Sequence, residues 1–302
     1  MTQGSRFDQS LWYVVESTPG TTPATPTLVE IPIAGTPTLQ VEKDNFASNR
    51  IGNRNVTHLR HGVRRSTGDI PIELAYGDFD TLFESLMFSS FSTNVLKVGS
   101  TAKYFTLEKR FSGISEFQPF TGCLMNGFTM SAQPNGMVTG SFSVLGLGGM
   151  TPASSTVATT STATAGNSPF DGFTGTITEG GSAANVTAID LTITNNGAIA
   201  HTIGSNTGSG VNMGMFNVTG SLSAFFESEA LLNKFLAETE SALTVEFEGI
   251  TGGDLQFDIS SLKYTGATIN EADEGLIVQM PFQGYYNASD ASSLVITRTP
   301  DA

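Results

Sequence analysis

Two histidines and one cysteine are the first candidates for chemistry. His58 and His61 have a His-x-x-His spacing that a helix could present to a metal ion, but the surrounding stretch is rich in arginine and would repel a cation. His201 has no partner in the sequence. Cys123 is the only cysteine, and it lacks the local histidine signature of a catalytic thiol. These residues therefore predict no metal, no cofactor and no enzymatic activity.

Two carboxylates, Glu246 and Glu248, are two residues apart and so share one face of a predicted strand. General acid and base catalysis needs a pocket that raises the pKa of one carboxyl, and the sequence indicates no such pocket. The glycine-rich tract from Gly204 to Gly210 lacks the Lys-Ser/Thr ending of a phosphate-binding loop. We interpret the glutamate pair as part of an acidic, solvated face.

Charge is distributed unevenly along the 302 residues, whose formal net charge is −14. Residues 1–150 carry 11 basic and 12 acidic side chains, whereas residues 170–302 carry 3 basic and 16 acidic ones. A chain with this balance is a poor candidate for binding nucleic acid, because that affinity depends on neutralising phosphates. The one basic patch lies within residues 50–65, a Gly/Asn-bearing stretch that we interpret as a loop because it is too hydrophilic for a core. Four of its arginines are candidate contact residues: Arg54, Arg60, Arg64 and Arg65.

The sequence also limits location and class. A single cysteine excludes an internal disulfide framework. No apolar run approaches the roughly 20 residues of a membrane helix, and the N-terminus lacks a basic region followed by an apolar one. We therefore expect a soluble, folded protein that has no membrane contact and is not secreted by the Sec route.

The two halves of the chain repeat a pattern of glycines. Short motifs recur at an offset of 152 residues: Ile51-Gly52 with Ile203-Gly204, and Thr67-Gly68 with Thr219-Gly220. Farther along, the offset falls to 139, at which Gly127 aligns with Gly266. A first-half loop that is 13 residues longer, within residues 88–103, explains the change. The matched glycines indicate a duplication.

Apolar residues alternate in several segments, which predicts half-buried strands: Leu39–Val41, Ile189–Ile193, Leu243–Phe247 and Leu255–Ile259. Each half also offers one short helix, capped by Asp78 in the first half and by Ser228 in the second. The expected fold is mainly β, with two tandem β-sandwich or partly closed barrel domains and one short flanking helix in each.

We expect five segments: an N-terminal arm 1–27, a first domain 28–150, a linker 151–169, a second domain 170–297 and a C-terminal tail 298–302. The linker is uncharged and rich in Ser, Thr and Ala, which suits a linker or an extended exposed strand. Leu11, Trp12 and Tyr13 form an apolar anchor ahead of a Pro/Thr/Gly-rich tract, so we expect the arm to pack on a neighbouring subunit. The alternative is an ordinary edge strand of its own sandwich.

The order of several short motifs resembles the major tail tube proteins of long-tailed, non-contractile bacteriophages, in the form with a duplicated tube domain. The motifs are Gln3-Gly-Ser-Arg-Phe7, Leu11–Glu16, Arg50-Ile-Gly52, Arg64–Gly68, Ile189–Asn196, Val218-Thr-Gly220, Phe225-Phe226 and Pro281-Phe-Gln283. Each motif is short, and it is their order along nearly the whole chain that carries the resemblance.

That resemblance implies a structural protein of the virion, assembled in the host cytoplasm. Subunits would join edge to edge so that their inner sheets form a barrel, and rings would stack into a tube through which DNA passes at ejection without specific binding. A chain with two tube domains implies a trimeric ring of pseudo-sixfold shape, with a tape-measure protein and tail-end proteins as further partners. Acidic charge agrees with such a conduit, and ring closure would remove exposed strand edges.

One proposal about assembly follows from the residues together with this resemblance. Head-to-tail stacking could set the arginines of residues 50–65 at the ring-to-ring interface against carboxylates.

Two other classes stay open: a capsid decoration or other virion surface protein, and a tandem carbohydrate-binding module. The second alternative requires exposed aromatic residues, and Trp12 is the only tryptophan.

Overall fold

The computed structural model describes residues 4–164, 166–250, 252–272 and 275–301. The elements of the first half are β1 (Gln9–Glu16), β2 (Thr27–Ile31), β3 (Gln40–Ala47), β4 (Leu59–Glu73), α1 (Asp80–Leu86), β5 (Val95–Lys97), β6 (Tyr104–Phe111), β7 (Glu116–Ala132), β8 (Thr139–Met150) and β9 (Thr160–Thr162). Those of the second half are β10 (Gly175–Glu179), β11 (Ser182–Ala183), β12 (Val186–Thr194), β13 (Ala198–Ala200), β14 (Gly210–Asn212), β15 (Asn217–Phe225), α2 (Ala230–Leu236), β16 (Ser241–Phe247), β17 (Gly253–Tyr264), β18 (Thr268–Ala272), β19 (Gly275–Gly284) and β20 (Val295–Pro300). The fold is mainly β, as predicted.

The predicted alternation places every second side chain in the core. In β16 and in the first half of β17, each odd-numbered residue is buried and each even-numbered residue is more exposed, which is the pattern of strands with one covered face. The segment Ile189–Ile193 lies in β12 and behaves in the same way. The predicted strands at 189–193, 243–247 and 255–259 are therefore confirmed, and of the predicted segment Leu39–Val41 the last two residues lie in β3.

The two helices form where the sequence predicts them, but their caps differ. The N-cap positions are Phe79 and Glu229, and neither side chain caps its helix. Asp78, the predicted cap of α1, instead accepts a hydrogen bond from Asn167. In α1, Leu82, Phe83 and Leu86 are buried, whereas no residue of α2 is fully buried.

Strand pairing follows the same order in the two halves. The first half pairs as β1-β6-β7-β8-β4-β3. The second half pairs as β10-β16-β17, then β18-β19-β15-β12, so β17 and β18 together occupy the place of the long strand β7. Even a β-bulge recurs, between Phe105 and Leu107 in β6 and between Ser241 and Leu243 in β16.

One difference between the halves has the predicted length. The connection from helix to strand covers residues 87–103 in the first half and 237–240 in the second, a difference of 13 residues. Within the longer connection, β5 pairs with the C-terminal strand β20. The insertion therefore joins the first half to the end of the chain.

The N-terminal segment corrects the expectation of a free arm. β1 lies between β2 and β6 in the sheet, and Leu11 is completely buried there, with Tyr13 nearly so. Burial in the chain's own sandwich leaves these side chains unavailable to a neighbour, so the prediction that the arm packs on another subunit was wrong. Trp12 points away from the core, and its ring stacks on the guanidinium of Arg110, 4.2 Å from the ring centroid.

The predicted linker and the predicted C-terminal tail both contribute strands to the sheet. Part of the linker 151–169 forms β9, which pairs in parallel with β2, so this segment lies extended along the first half. The predicted tail 298–302 begins inside β20. There Arg298 forms an ion pair with Asp80 of α1 and lies over the ring of Phe91.

Candidate assembly surfaces

The two halves meet in a strand pair. β12 runs antiparallel to the C-terminal part of β7, with Leu191 opposite Met130 and Ile193 opposite Phe128. This junction makes one layer of eight strands in the order β3-β4-β8-β7-β12-β15-β19-β18, which we call the inner layer. The layer is therefore continuous across the two halves.

Both ends of the inner layer are open strand edges. Among the described residues, β3 pairs only with β4, and β18 pairs only with β19. Residues 268–271 of β18 are exposed, including the apolar side chain of Ile269. Unpaired edges present free backbone N–H and C=O groups that can pair with another chain.

The face of the inner layer that points away from the core is lined by small polar side chains. Thr and Ser residues of β4, β7, β8, β12 and β15 alternate with the buried apolar residues. The charged side chains on this face include Glu42, Asp69 and Asp190; Asp69 accepts a hydrogen bond from Ser143 Oγ at 2.7 Å, and Arg65 pairs with Glu42 at 2.9 Å. Because its arginine is already paired, this polar face offers little to bind a phosphate backbone.

One end of the inner layer carries two long connections. β3 and β12 run in the same direction, so the connections 48–58 and 195–216 lie at the same end of the sheet. At their tips, Ile51 and Ile203 are fully exposed, and each is followed by a glycine with positive φ, +117° at Gly52 and +95° at Gly204. A backbone conformation that favours glycine explains why these dipeptides recur.

The basic patch is half turn and half strand. Arg54 lies in the exposed turn before β4, as predicted, but Arg60, Arg64 and Arg65 lie in β4 itself. Arg65 already pairs with Glu42 and Asp44 of β3, and the backbone N–H of Arg64 donates to the carbonyl oxygen of Asn206 at 2.9 Å. The interpretation of the whole stretch as a loop was therefore wrong. The first seven residues of β4 are exposed or half-buried and mostly polar, so the alternation of apolar and polar residues that indicates a strand is missing there.

The predicted acidic pair is separated by the end of a strand. Glu246 lies in β16 with its side chain half-buried and pointing away from the core, and the exposed Glu248 follows the last residue of that strand. The carbonyl oxygen of Glu248 accepts a hydrogen bond from Thr174 Oγ1 at 3.1 Å. The pair belongs to the outer surface of the second half, where neither side chain lines a cavity formed by the described residues.

The surroundings of the cysteine and of the His-x-x-His pair favour structural roles for these side chains. Cys123 is fully buried in β7, and burial raises the pKa of its thiol, which disfavours the reactive thiolate. His58 and His61 are exposed and contact Thr57 and Asn45. In the part of the chain that the structure describes, no three His, Cys, Asp or Glu side chains lie together as metal ligands.

Buried carboxylates are the polar feature that the sequence did not reveal. Glu179 accepts hydrogen bonds from Lys234 at 2.6 Å, from Ser241 at 2.5 Å and from Tyr264 at 3.0 Å. Glu108 is fully buried and receives a hydrogen bond from the Val157 N–H at 2.7 Å, which holds the linker segment against β6. The partners are far apart in sequence, so no local motif indicated either cluster. Because their hydrogen bonds are made within the chain, these carboxylates stabilise the fold.

No curated protein matches the chain. A family model described as phage tail tube protein matches residues 7–284, nearly its whole length. The chain belongs to the phage tail tube protein family. It is thus a structural protein of the bacteriophage tail, and the family implies assembly into an oligomer within the virion. None of the described helices is long and apolar enough to span a membrane.

Proposed function

We propose that this tail tube protein is a duplicated tube unit, three copies of which close a ring around a lumen. The observation that carries the proposal is the inner layer, in which the β7–β12 pair joins the halves and leaves β3 and β18 open. β3 occupies the place of β12 in the first half, and β18 occupies the place of the C-terminal part of β7 in the second. The edge of one chain therefore fits the opposite edge of the next in the same way as the two halves fit each other.

The intramolecular junction provides a register for the contact between chains. Thr192 pairs with Thr219 in the second half in the same way as Gln40 pairs with Thr67 in the first. The residues before these, Leu191 and Leu39, are therefore counterparts. Ile269 pairs with Val278 as Met130 pairs with Gly140, so Ile269 is the counterpart of Met130. Since Leu191 lies opposite Met130, Leu39 of one chain should lie opposite Ile269 of the next. That contact would cover the exposed side chain of Ile269.

Ring closure would turn the polar face of the inner layer toward the lumen. Its hydroxyl groups and carboxylates suit a conduit that DNA crosses without specific binding, because few cations are free to retain phosphates. We infer ejection of DNA through this lumen, contact with a tape-measure protein and tail-end proteins, and assembly in the host cytoplasm from the family membership alone.

Stacking of rings requires two unlike ends. The end with the long connections carries exposed Arg50, Arg54 and Arg60 together with the isoleucine tips. The opposite end of the sheet carries carboxylates and an exposed Met137 in the β7–β8 turn, and its carboxylates include Asp171, Glu227 and Glu271. We propose that the basic end of one ring contacts the acidic end of the next. Arg64 and Arg65 no longer belong to this proposed contact, because both already have partners in their own chain.

The test compares two Ile→Asp substitutions. Ile269→Asp places a charge in the proposed junction, and Ile250→Asp places the same charge at an exposed position after β16, where Ile250 is 72% exposed. Native mass spectrometry should show trimers for the unmodified chain and for Ile250→Asp, but monomers for Ile269→Asp with nearly unchanged thermal unfolding. Trimers of unchanged stability in Ile269→Asp, or a ring mass other than three chains, would contradict the proposal.

A further inference from the structure

The second long connection is docked on the first half of the same chain. Arg64 donates its backbone N–H to the carbonyl oxygen of Asn206, and the Gly208 N–H donates to the carbonyl oxygen of Leu147 at 2.8 Å. Val211, farther along the same connection, packs beside the small cluster of Phe88, Tyr104 and Leu124. These contacts bridge the two halves just beyond the β7–β12 junction.

The first long connection, residues 48–58, corresponds by the offset of 152 to residues 200–210 within the second, but no other described part of the chain covers it. The offset of 152 residues holds on both sides of it, which makes Arg54 the counterpart of Asn206, Val56 of Gly208 and Leu59 of Val211. Gly208 and Val211 are half-buried by the first half, whereas Val56 and Leu59 are 64% and 63% exposed. The apolar side chains of this connection thus lack the surface that its second-half counterpart has.

The second half holds a groove at the matching position. Two counterparts define this position. Gln283 pairs with Thr219 in the same way as Leu145 pairs with Thr67, so two residues farther along each strand Tyr285 is the counterpart of Leu147. The offset of 152 residues makes Phe216 the counterpart of Arg64. Both counterparts line a groove of about 400 Å³. Further lining residues are Met215, Gln283 and Tyr286. The groove is therefore formed by the residues that would receive the connection if the intramolecular contact were repeated between chains.

The chemistry of the groove suits this occupant. The hydroxyl of Tyr285 donates to the carboxylate of Glu240, and Met215 and Tyr286 present exposed apolar surface, 76% and 63% exposed. The segment 54–59 brings Arg54 together with Val56 and Leu59. An aromatic groove with the carboxylate of Glu240 bonded to one of its tyrosines is complementary to a segment with one cation and two apolar side chains.

We propose that this groove binds residues 54–59 of the neighbouring chain in the ring. The inference rests on the proposed trimeric ring and adds a second lateral contact to it. The backbone of Arg54 and Val56 would bond to Phe216 and Tyr285 of the neighbour, while the tip at Ile51 stays free to contact the next ring. Each chain then reaches across the junction twice, once within itself and once to its neighbour.

Cysteine pairs test the contact, because the only native cysteine is buried. Val56→Cys with Tyr285→Cys tests the groove, and Gln40→Cys with Thr268→Cys tests the sheet junction; both pairs are oxidised and run on a non-reducing gel. We expect each pair to give dimers and a cross-linked trimer, and each single variant to give no trimer. A trimer from the junction pair without one from the groove pair overturns the groove proposal and leaves the ring intact.

If neither pair cross-links and no trimer is seen by native mass spectrometry, the ring itself fails and this inference fails with it. A second measurement does not depend on Tyr285. Val56→Asp should lower the temperature at which trimers dissociate while monomer unfolding is unchanged, whereas Ile51→Asp, at the exposed tip, should leave trimers intact. Equal trimer stability in Val56→Asp and Ile51→Asp would overturn the groove contact.

Discussion

The ring of Phe83 in α1 lies edge-on to the ring of Phe257 in β17, with 5.9 Å between the ring centroids. Phe83 also packs against Phe128 and Phe142 of its own half at 5.1 Å, so one side chain joins the cores of both halves. Buried residues of both halves thus belong to one hydrophobic core in the described part of the chain.

This shared core predicts that a phenylalanine of α1 contributes more to the free energy of unfolding than its counterpart in α2. Phe83→Ala should lower the free energy of unfolding by about 3–5 kcal/mol, because it removes a fully buried ring and leaves a cavity between the halves. Phe235→Ala, at the counterpart position in the half-exposed helix α2, should cost about 1 kcal/mol in the monomer. Denaturant unfolding of both variants measures the difference. Equal losses would mean that Phe83 does not hold the halves together.

The placement of β1 predicts the effect of truncation. Deleting residues 1–16 removes Leu11 and Tyr13 from the core together with Glu16, whose carboxylate accepts hydrogen bonds from Gly20, Thr106 and Gly122. Loss of one buried leucine side chain alone costs about 2–5 kcal/mol, so this truncated chain should not fold. Deleting residues 1–8 should leave the circular dichroism spectrum and the melting temperature nearly unchanged. A folded 1–16 deletion that fails only in assembly would restore the idea of a connecting arm.

Buried tyrosines predict a loss of stability at alkaline pH. Burial and the neighbouring Glu179 raise the pKa of Tyr264 in the folded chain above its ordinary value near 10. Above pH 10 the unfolded chain releases this proton while the folded chain retains it, so the free energy of unfolding falls by about 1.4 kcal/mol per pH unit for each such proton. Below pH 10 this tyrosine is protonated in both states, so it adds no pH dependence to the free energy of unfolding.

Denaturant unfolding between pH 9 and pH 11 measures that slope. Tyr264→Phe should be less stable at pH 8, because Glu179 loses a hydrogen-bond donor, but its stability should fall less steeply above pH 10. Tyr286→Phe is the control, since Tyr286 is exposed. An alkaline slope in Tyr264→Phe as steep as in the unmodified chain would assign the effect to other groups.

The sequence carries much of this fold because its signals are local and repeated. Gly52 and Gly204 recur because both turns need positive φ, and the change of offset between matched glycines located the 13-residue difference between the helix-to-strand connections. Alternation revealed β12, β16 and β17, whose outward side chains are polar. In β1 the outward side chains Trp12 and Val14 are themselves apolar, so alternation was masked and the strand resembled an unattached anchor.

The assembly surfaces were less accessible to sequence reasoning. The arginines of residues 50–65 were visible as a patch, yet the pairing of Arg65 with Glu42 and Asp44 depends on the register of β3 against β4. The groove beside Tyr285 likewise brings together residues from β15, β19 and the segment before β20. Such sites exist only once distant strands pair, which no short motif encodes.

The charged end of the inner layer predicts salt-dependent elongation. Exposed ion pairs contribute only about 0–1 kcal/mol each, so an effect on stacking must come from several acting at a repeated interface, and it should weaken as salt screens them. Replacing Arg50 and Arg60 with Ser should slow tube growth in low salt and flatten its salt dependence, with the melting temperature of the monomer unchanged; Arg54 is left in place because it also belongs to the proposed groove contact. Arg65→Ser is the matched control, because its carboxylate partners lie in its own chain and elongation should be nearly normal. Light scattering across a salt series measures growth, and a double variant that elongates like the unmodified chain at every salt concentration would remove these two arginines from the stacking contact.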